Sequence, residues 1–356
     1  MATSSSFSQA SRGLLAVLGA AAVLTALSAC DLPFGLGQPS TLALENGAAA
    51  SLDGAKSFRV SGSYTDQSMI LGAPASSART QPLAARVSID LEFVKPSTEH
   101  VLVTATGTKV EAILLGSEGY FRGNEFLSQH MGPDQLSRNL VKVAGNSWWR
   151  GYGSAAEIPR LPDLTGGSSF RSAFLGTAVT QRTDHTSVDG LDAVNLSGPR
   201  ADVFIAASPP YRVLRVRIKS GVTVDGMTDA DLRFSDFDRD FGIAAPRDVI
   251  DFSNLSTLPP VYTVVSVDTL GCGSPCSVSV LLKNLGGLSA AQGPSTVTFT
   301  MTDPATAQTL GSCKAVVQPD VGYNSTTTVA CTIGNVNGKQ VNSAVVTAVA
   351  DNPGRA

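Results

Sequence analysis

A short apolar segment near the N-terminus constrains this chain more than any other feature, because it decides where the rest of the chain folds. Residues 1–29 carry one charged side chain, Arg12, and residues 13–26 (GLLAVLGAAAVLTA) are apolar except for Thr25. A basic start followed by such a run is typical of an export signal. The run is also shorter than the ~20 residues that span a bilayer. We therefore predict that residues 1–29 are a signal peptide and that the remaining chain folds outside the cytoplasm.

The apolar segment ends in Leu27-Ser28-Ala29-Cys30, which resembles the bacterial lipobox. This resemblance implies that signal peptidase II recognises Leu27, Ser28 and Ala29 and cuts before Cys30, whose thiol then carries the lipid. Each buried methylene contributes ~0.8 kcal/mol to membrane binding, so two or three acyl chains would anchor the protein at the extracytoplasmic face of the cell membrane. Residues 30–41, rich in proline and glycine, would form a tether. The alternative is a short membrane anchor with an incidental cysteine.

A change in charge density predicts a domain boundary. Residues 261–356 contain eight charged side chains, no glutamate and no histidine, whereas the preceding part is far richer in charge. The change coincides with Leu258-Pro259-Pro260, and proline restricts both itself and the residue before it. We predict two domains, at 42–258 and 261–356.

The first predicted domain reads mostly as strands. In one segment, apolar side chains alternate with Ser88, Asp90 and Glu92, the period-two pattern of a half-buried strand. Short connections between such segments favour antiparallel pairing, and few segments read as helices. The predicted fold class is α+β, with one large curved antiparallel sheet and a few helices on one face. The alternating apolar residues are Val87, Ile89, Leu91 and Phe93.

The second predicted domain is strand and turn throughout. About seven short strands in this length favour an all-β immunoglobulin-like sandwich. Its four cysteines have a C-x3-C and C-x17-C spacing that is unusual for zinc, and disulfides are expected outside the cytoplasm. Four cysteines permit three pairings. The shortest loops favour Cys272–Cys276 and Cys313–Cys331.

Four phrases of the first domain occur in an order that resembles one family of lipoproteins. They are residues 188–196 (VDGLDAVNL), 204–206 with 210–215 (FIA, PYRVLR), 234–237 (FSDF) and 245–251 (APRDVID). Together with the lipobox, they resemble the actinobacterial LppX/LprG-type lipoproteins, relatives of the LolA/LolB lipoprotein carriers. The resemblance implies a half-open antiparallel β-barrel closed by helices, with an apolar cavity that binds acyl chains of lipids or lipoproteins. The second domain is not part of this pattern.

A cavity of this kind would be lined by aliphatic side chains on the hollow face of the sheet. Trp148 and Trp149 are adjacent, so alternation sends one ring inward and the other to solvent or to a partner. Ordinary core packing is the alternative for each of these side chains. The candidate lining residues are Val87, Ile89, Leu91, Phe93 and Trp148.

Composition and motifs narrow the function. Lys and Arg number 26 against 29 Asp and Glu, a net charge of −3, so there is no basic excess for binding nucleic acid. The sequence contains no G-x-S-x-G, H-E-x-x-H or G-x-x-x-x-G-K, and we expect no catalytic residue, metal or cofactor. The leading hypothesis is a membrane-anchored carrier of a lipid ligand. The second is a structural or adhesion lipoprotein whose sandwich contacts an envelope protein, and the third is an envelope enzyme with a dispersed catalytic set.

Overall fold

The computed structural model of the protein describes residues 38–66, 85–105, 107–152, 163–289, 291–334 and 343–355. The predicted signal peptide (1–29) and its lipobox, with Leu27, Ser28, Ala29 and Cys30, lie outside the described residues. Within those residues, no helix has both the length and the apolar character needed to cross a membrane. The architecture is α+β and rich in strands, as predicted.

Two large apolar cores divide the described chain, besides a small cluster of Val188, Ala193 and Leu214. One contains buried residues from Leu44 to Val261, and the other contains buried residues from Tyr262 to Ile333. We call residues 38–261 the first part and residues 262–355 the second part.

One twelve-stranded sheet forms the first part. Its strands are β1 (Ser57–Asp66), β2 (Ala85–Val94), β3 (Thr98–Ala105), β4 (Thr108–Leu115), β5 (Glu118–Arg122), β6 (Trp149–Tyr152), β7 (Gln181–Val188), β8 (Leu191–Ser197), β9 (Ala201–Ala206), β10 (Val213–Ile218), β11 (Met227–Ser235) and β12 (Ile250–Asp251). The spatial order is β12-β6-β5-β4-β3-β2-β1-β11-β10-β9-β8-β7. Neighbouring strands are antiparallel, as predicted, except that β12 runs parallel to β6. β12 lies at one edge of the sheet, whereas β11, the strand that precedes it in the chain, lies in the interior between β1 and β10.

The helices add apolar side chains to the core on one face of this sheet. They are α1 (Thr41–Gly54), α2 (Asn124–Met131), α3 (Gln135–Ala144) and α4 (Gly167–Phe170), which continues into a π-helical turn (Arg171–Leu175). α1 begins where the Ser40 hydroxyl accepts a hydrogen bond from Ala43 N at 3.1 Å, a standard N-cap. Its apolar residues Leu44, Ala48 and Leu52 are spaced by four, so they share one face of the helix and are buried.

The second part consists of two three-stranded sheets around one core. The strands of the first sheet are β13 (Tyr262–Asp268), β14 (Cys276–Asn284) and β17 (Thr326–Ile333), and those of the second are β15 (Thr296–Thr302), β16 (Thr309–Val316) and β18 (Val345–Asp351). Val280 of β14 and Phe299 of β15 are fully buried between them. Both predicted disulfides are confirmed: Cys313–Cys331 joins β16 to β17, and Cys272–Cys276 closes the turn before β14.

The two parts are docked against each other at their boundary. Leu258 and Val261 are fully buried in the first core, and Pro259 and Pro260 are buried with them. The segment predicted as a linker is thus packed rather than solvated. The apolar character of Leu258 and Val261 explains this difference, since both can bury their side chains in a neighbouring core.

The C-terminal residues add a second connection. After β18, residues 352–355 cross the end of α3, where Arg355 N donates to Val143 O at 2.9 Å. Gly354 has a φ of +74°, and a Cβ there would lie 2.6 Å from Val143 O. Only glycine allows this close approach without strain. We call residues 352–355 the C-terminal arm.

Candidate functional site

Two tryptophans at the start of β6 mark the candidate functional site. Their side chains alternate as predicted: Trp149 is 2% exposed, whereas Trp148 is half-buried. Each ring lines a different cleft, named here the Trp149 cleft and the Trp148 cleft. The sequence contains no other tryptophan, so each cleft has its own natural spectroscopic probe.

The Trp149 cleft lies at the β12–β6 end of the twelve-stranded sheet and has a volume of about 640 Å³. Three of its lining side chains are apolar and six are polar. The apolar side chains are those of Met131, Trp149 and Phe252, and the polar ones are those of Ser117, Glu118, His130, Arg150, Asp251 and Ser253.

Four rings surround the indole of Trp149. The ring centroids of Phe121, His130, Phe126 and Phe252 lie 4.9, 5.2, 5.9 and 6.3 Å from the indole centroid. These distances fall within the range of attractive aromatic pairs. Trp149 is therefore held in place by ring contacts on several sides while it also borders the cleft.

The local fold brings these rings together. α2 begins directly after β5 at Gly123, whose φ is 149° and where a Cβ would lie 2.5 Å from Lys109 O. This tight turn lets α2 fold back so that its last turn reaches the cleft. On the other side, Ile250 N donates to Trp148 O at 2.8 Å. That bond pairs β12 with β6 and brings Phe252 beside the indole.

The indole nitrogen of Trp149 has no hydrogen-bond partner. Trp149 Nε1 is buried and unpaired among the described residues, although a buried indole N–H usually donates to some acceptor. Because this atom is buried, the ring contacts and not a hydrogen bond hold the indole in place.

Charges of both signs occupy the rim. Arg150 forms an ion pair with Glu118, which also accepts a hydrogen bond from Tyr120 Oη at 2.8 Å. This hydrogen bond raises the pKa of Tyr120. Asp251 accepts hydrogen bonds from the side chain and the backbone N of Ser253, and they lower the pKa of Asp251. Asp251 is therefore ionised near neutral pH.

The Trp148 cleft lies between the two parts and has a volume of about 610 Å³. The guanidinium of Arg122 lies 4.7 Å from the indole centroid of Trp148, a cation–π contact. Arg122 also forms an ion pair with Glu111 on the neighbouring strand, with Nε 3.1 Å from Oε2. The second part supplies the other wall of this cleft, with Ser289, Gln292 and Arg355.

Four of the five predicted lining residues lie together, away from both clefts. They share one face of β2, and each is at most 4% exposed within the main core. Phe93 contacts Phe58 with a centroid distance of 5.4 Å. Trp148 does not join them, because β3, β4 and β5 separate β6 from β2. The buried four are Val87, Ile89, Leu91 and Phe93.

Trp149, Met131 and Phe252 are not among the predicted site residues. The adjacent tryptophans are the one sequence feature that points to this site, and their adjacency does not indicate which ring borders which cleft. Phe252 lies about a hundred residues from Trp149 and reaches it only through the pairing of β12 with β6. Among the described residues, no group of three His, Cys, Asp or Glu side chains is placed to hold a metal ion.

No protein-family model and no curated protein sequence matches the chain. Among solved structures, it is similar to a chain in the complex structure of Pseudomonas aeruginosa MucA/MucB, with a TM-score of 0.24 and 12% sequence identity. The similarity covers 88% of this chain and 98% of that chain. A TM-score this low supports no conclusion about fold or function.

Proposed function

We propose that this chain is a lipid-anchored protein of the bacterial envelope that binds a hydrophobic ligand, such as an acyl chain of a lipid or lipoprotein, in the Trp149 cleft. The observation that carries the proposal is a cleft of about 640 Å³ in which Met131, Trp149 and Phe252 lie beside six polar side chains. Ligand sites typically enclose ~300–1,000 Å³ and combine apolar walls with a few polar groups that fix orientation.

The side chains of the cleft suit an acyl ligand. Met131 is unbranched and adapts its shape to a neighbour, while Phe252 offers a flat apolar face. Each methylene removed from water contributes ~0.8 kcal/mol. Polar side chains among those that line the cleft would orient the head group of the ligand.

The location and the finer fold belong to the same proposal. Cys30 would hold the protein at the extracytoplasmic face of the cell membrane, in the periplasm or on the cell surface. The twelve-stranded sheet would correspond to the half-open barrel of LppX/LprG-type lipoproteins, and the second part to an immunoglobulin-like sandwich. Helices on one apolar face, and two sheets around one core, support these assignments.

Native mass spectrometry tests the proposal on residues 31–356, exported so that the disulfides form. This chain retains the boundary residues and the C-terminal arm, which the first part alone would lose. We expect a bound mass that organic extraction releases and identifies as an acyl lipid. A ligand-free protein that also fails to take up a fluorescent fatty acid would contradict the proposal.

A pair of variants locates the ligand. Phe252→Ala removes one wall of the Trp149 cleft and should weaken fatty-acid binding about tenfold, or ~1.4 kcal/mol. Phe204→Ala is the matched control, because Phe204 is also a half-buried phenylalanine but lies on β9, near the opposite end of the sheet. Equal losses in the two variants would place the ligand elsewhere.

One observation favours a structural or adhesion role as the second candidate. Val265 of β13 and Val349 of β18 are 54% and 66% exposed, and these two strands contact each other at one edge of the second part. Val264 and Val345 are also exposed there. Exposed apolar groups can mark a protein contact. Val265→Lys and Val349→Lys test this role. If the two substitutions abolish association with envelope proteins, and no hydrophobic ligand binds, the structural or adhesion role replaces the carrier role.

A further inference from the structure

We propose that the Trp148 cleft binds a phosphate group, held by arginines contributed from both parts of the chain. The chain as a whole carries a net charge of −3, so it has no general attraction for anions. Three arginines nevertheless line this one cleft, together with a single carboxylate. The arginines are Arg122, Arg247 and Arg355, and the carboxylate is that of Asp248.

Two of the three arginines are not neutralised by an ion pair. Arg122 is paired with Glu111. Arg355 donates instead to two backbone carbonyls, Asp248 O at 2.8 Å and Thr257 O at 3.1 Å, which do not cancel its charge. Arg247 is exposed, and within the described ranges it forms no ion pair. After the opposing charge of Asp248 is counted, the side chains that line the cleft have an excess of one positive charge, which favours an anion.

The wall also supplies neutral donors and a flat ring. Asn146 and Gln292 contribute amide groups, and Ser147 and Ser289 contribute hydroxyls. The indole of Trp148, covered by a guanidinium, offers a surface on which the organic portion of a ligand can stack. Guanidinium groups match phosphate oxygens in a bidentate geometry, so a phosphate is the anion that this set suits best.

The C-terminal arm, which contributes Arg355 to the lining of the cleft, is held by hydrogen bonds to both parts. Gln292 N donates to Gly354 O at 2.7 Å, and Gln292 Nε2 donates to Arg355 O at 2.8 Å. Arg355 N in turn donates to Val143 O of α3. Arg355 is therefore held in position before a ligand arrives, which lowers the ordering cost of binding. A phosphate that contacts Arg247 and Arg355 together would bridge the two parts.

Fluorine NMR of the chain 31–356, labelled with 5-fluorotryptophan, tests the inference. The two tryptophans give two resonances, which Trp148→Phe assigns. We expect inorganic phosphate to shift the Trp148 resonance saturably and to leave that of Trp149 in place, while chloride at equal ionic strength does neither. Absence of a Trp148 shift would overturn the inference. A fatty acid, in contrast, should shift the Trp149 resonance, so the test is independent of the proposed function.

Three variants sharpen the result. Arg247→Gln should weaken phosphate binding about tenfold, and Asp248→Asn should strengthen it, because the opposing charge is gone. Arg217→Gln removes the same charge from an exposed site on β10, seven strands from β6 in the sheet, and should leave binding unchanged. Equal affinities in Arg247→Gln and Arg217→Gln would overturn the inference.

A soluble short-chain phosphatidic acid distinguishes the two sources of phosphate. If its affinity exceeds that of inorganic phosphate tenfold or more, and Arg247→Gln weakens both, the site takes a phospholipid head group. If the two affinities are equal and equally sensitive to Arg247→Gln, a free phosphate group suffices. A shift by the lipid that Arg247→Gln does not weaken would contradict the inference.

Discussion

The disulfide between the two sheets of the second part should contribute more stability than the one in the turn before β14. Cys313 and Cys331 are 18 residues apart, whereas Cys272 and Cys276 are four apart. In the loop-entropy treatment, these separations correspond to ~3 kcal/mol and ~2 kcal/mol of stabilisation. All four cysteines belong to the second core or pack against it, so both double variants lose apolar contacts in addition to a disulfide. The double variant C313A/C331A should therefore lose at least ~3 kcal/mol.

Urea unfolding measures this difference. With a slope of ~1–3 kcal/mol per molar urea, a loss of ~3 kcal/mol lowers the midpoint by about 1–3 M. Hydrogen exchange of β14 and β17 reports the second part, which contains no tryptophan, while tryptophan fluorescence reports the first part. C272A/C276A is the matched control and should lose about 1 kcal/mol less than C313A/C331A, because its loop is shorter. An equal or smaller loss in C313A/C331A than in the control would contradict this prediction.

Three further predictions concern the anchor, pH and the C-terminal arm. Cys30→Ala should abolish lipidation, so the variant should lack acyl mass and leave the detergent phase that retains the unmodified protein. Burial disfavours the charged form of the His100 ring, but hydrogen bonds to two glutamates outweigh this and raise the pKa of His100. His100 therefore contributes its full stabilisation below pH ~6.5, and this contribution is lost as the pH rises through the pKa of the folded state. Because a third of the side chain is exposed, we expect a loss of under ~1 kcal/mol. Thermal melts at a series of pH values should show this loss in the unmodified protein and not in His100→Gln. Gly354→Ala should destabilise docking of the C-terminal arm by ~1 kcal/mol or more and expose it to exchange, whereas Gly322→Ala, with open space at its Cβ, should not.

Strands in which apolar and polar residues alternate strictly can be predicted from sequence, because all the apolar side chains then lie on the same face of the strand. The segment around Val87 forms β2 with the expected residues buried, and Val297, Phe299 and Met301 do the same in β15. Helix α3 was predictable at its ends, where Asp134 caps it and Gly145 closes it.

Contacts between distant segments were not predictable from local pattern. Leu136 of α3 is 42% exposed, although it is apolar and lies four residues before the buried Leu140. Ser137 is buried in its place, since its hydroxyl donates to Met131 O at 2.9 Å. The Trp149 cleft and the docked C-terminal arm likewise depend on pairings between residues far apart in sequence, for which the sequence contains no local signal.

Quenching of Trp149 by a brominated fatty acid tests whether a hydrophobic ligand occupies the Trp149 cleft. In Trp148→Phe, Trp149 is the sole tryptophan, and bromine quenches an indole only at close range. We expect saturable quenching in Trp148→Phe, with affinity weakened about tenfold when Phe252→Ala is added. We expect little quenching in Trp149→Phe, where Trp148 is the sole tryptophan. Absence of quenching in Trp148→Phe, or equal quenching of both tryptophans, would contradict a hydrophobic ligand in the Trp149 cleft.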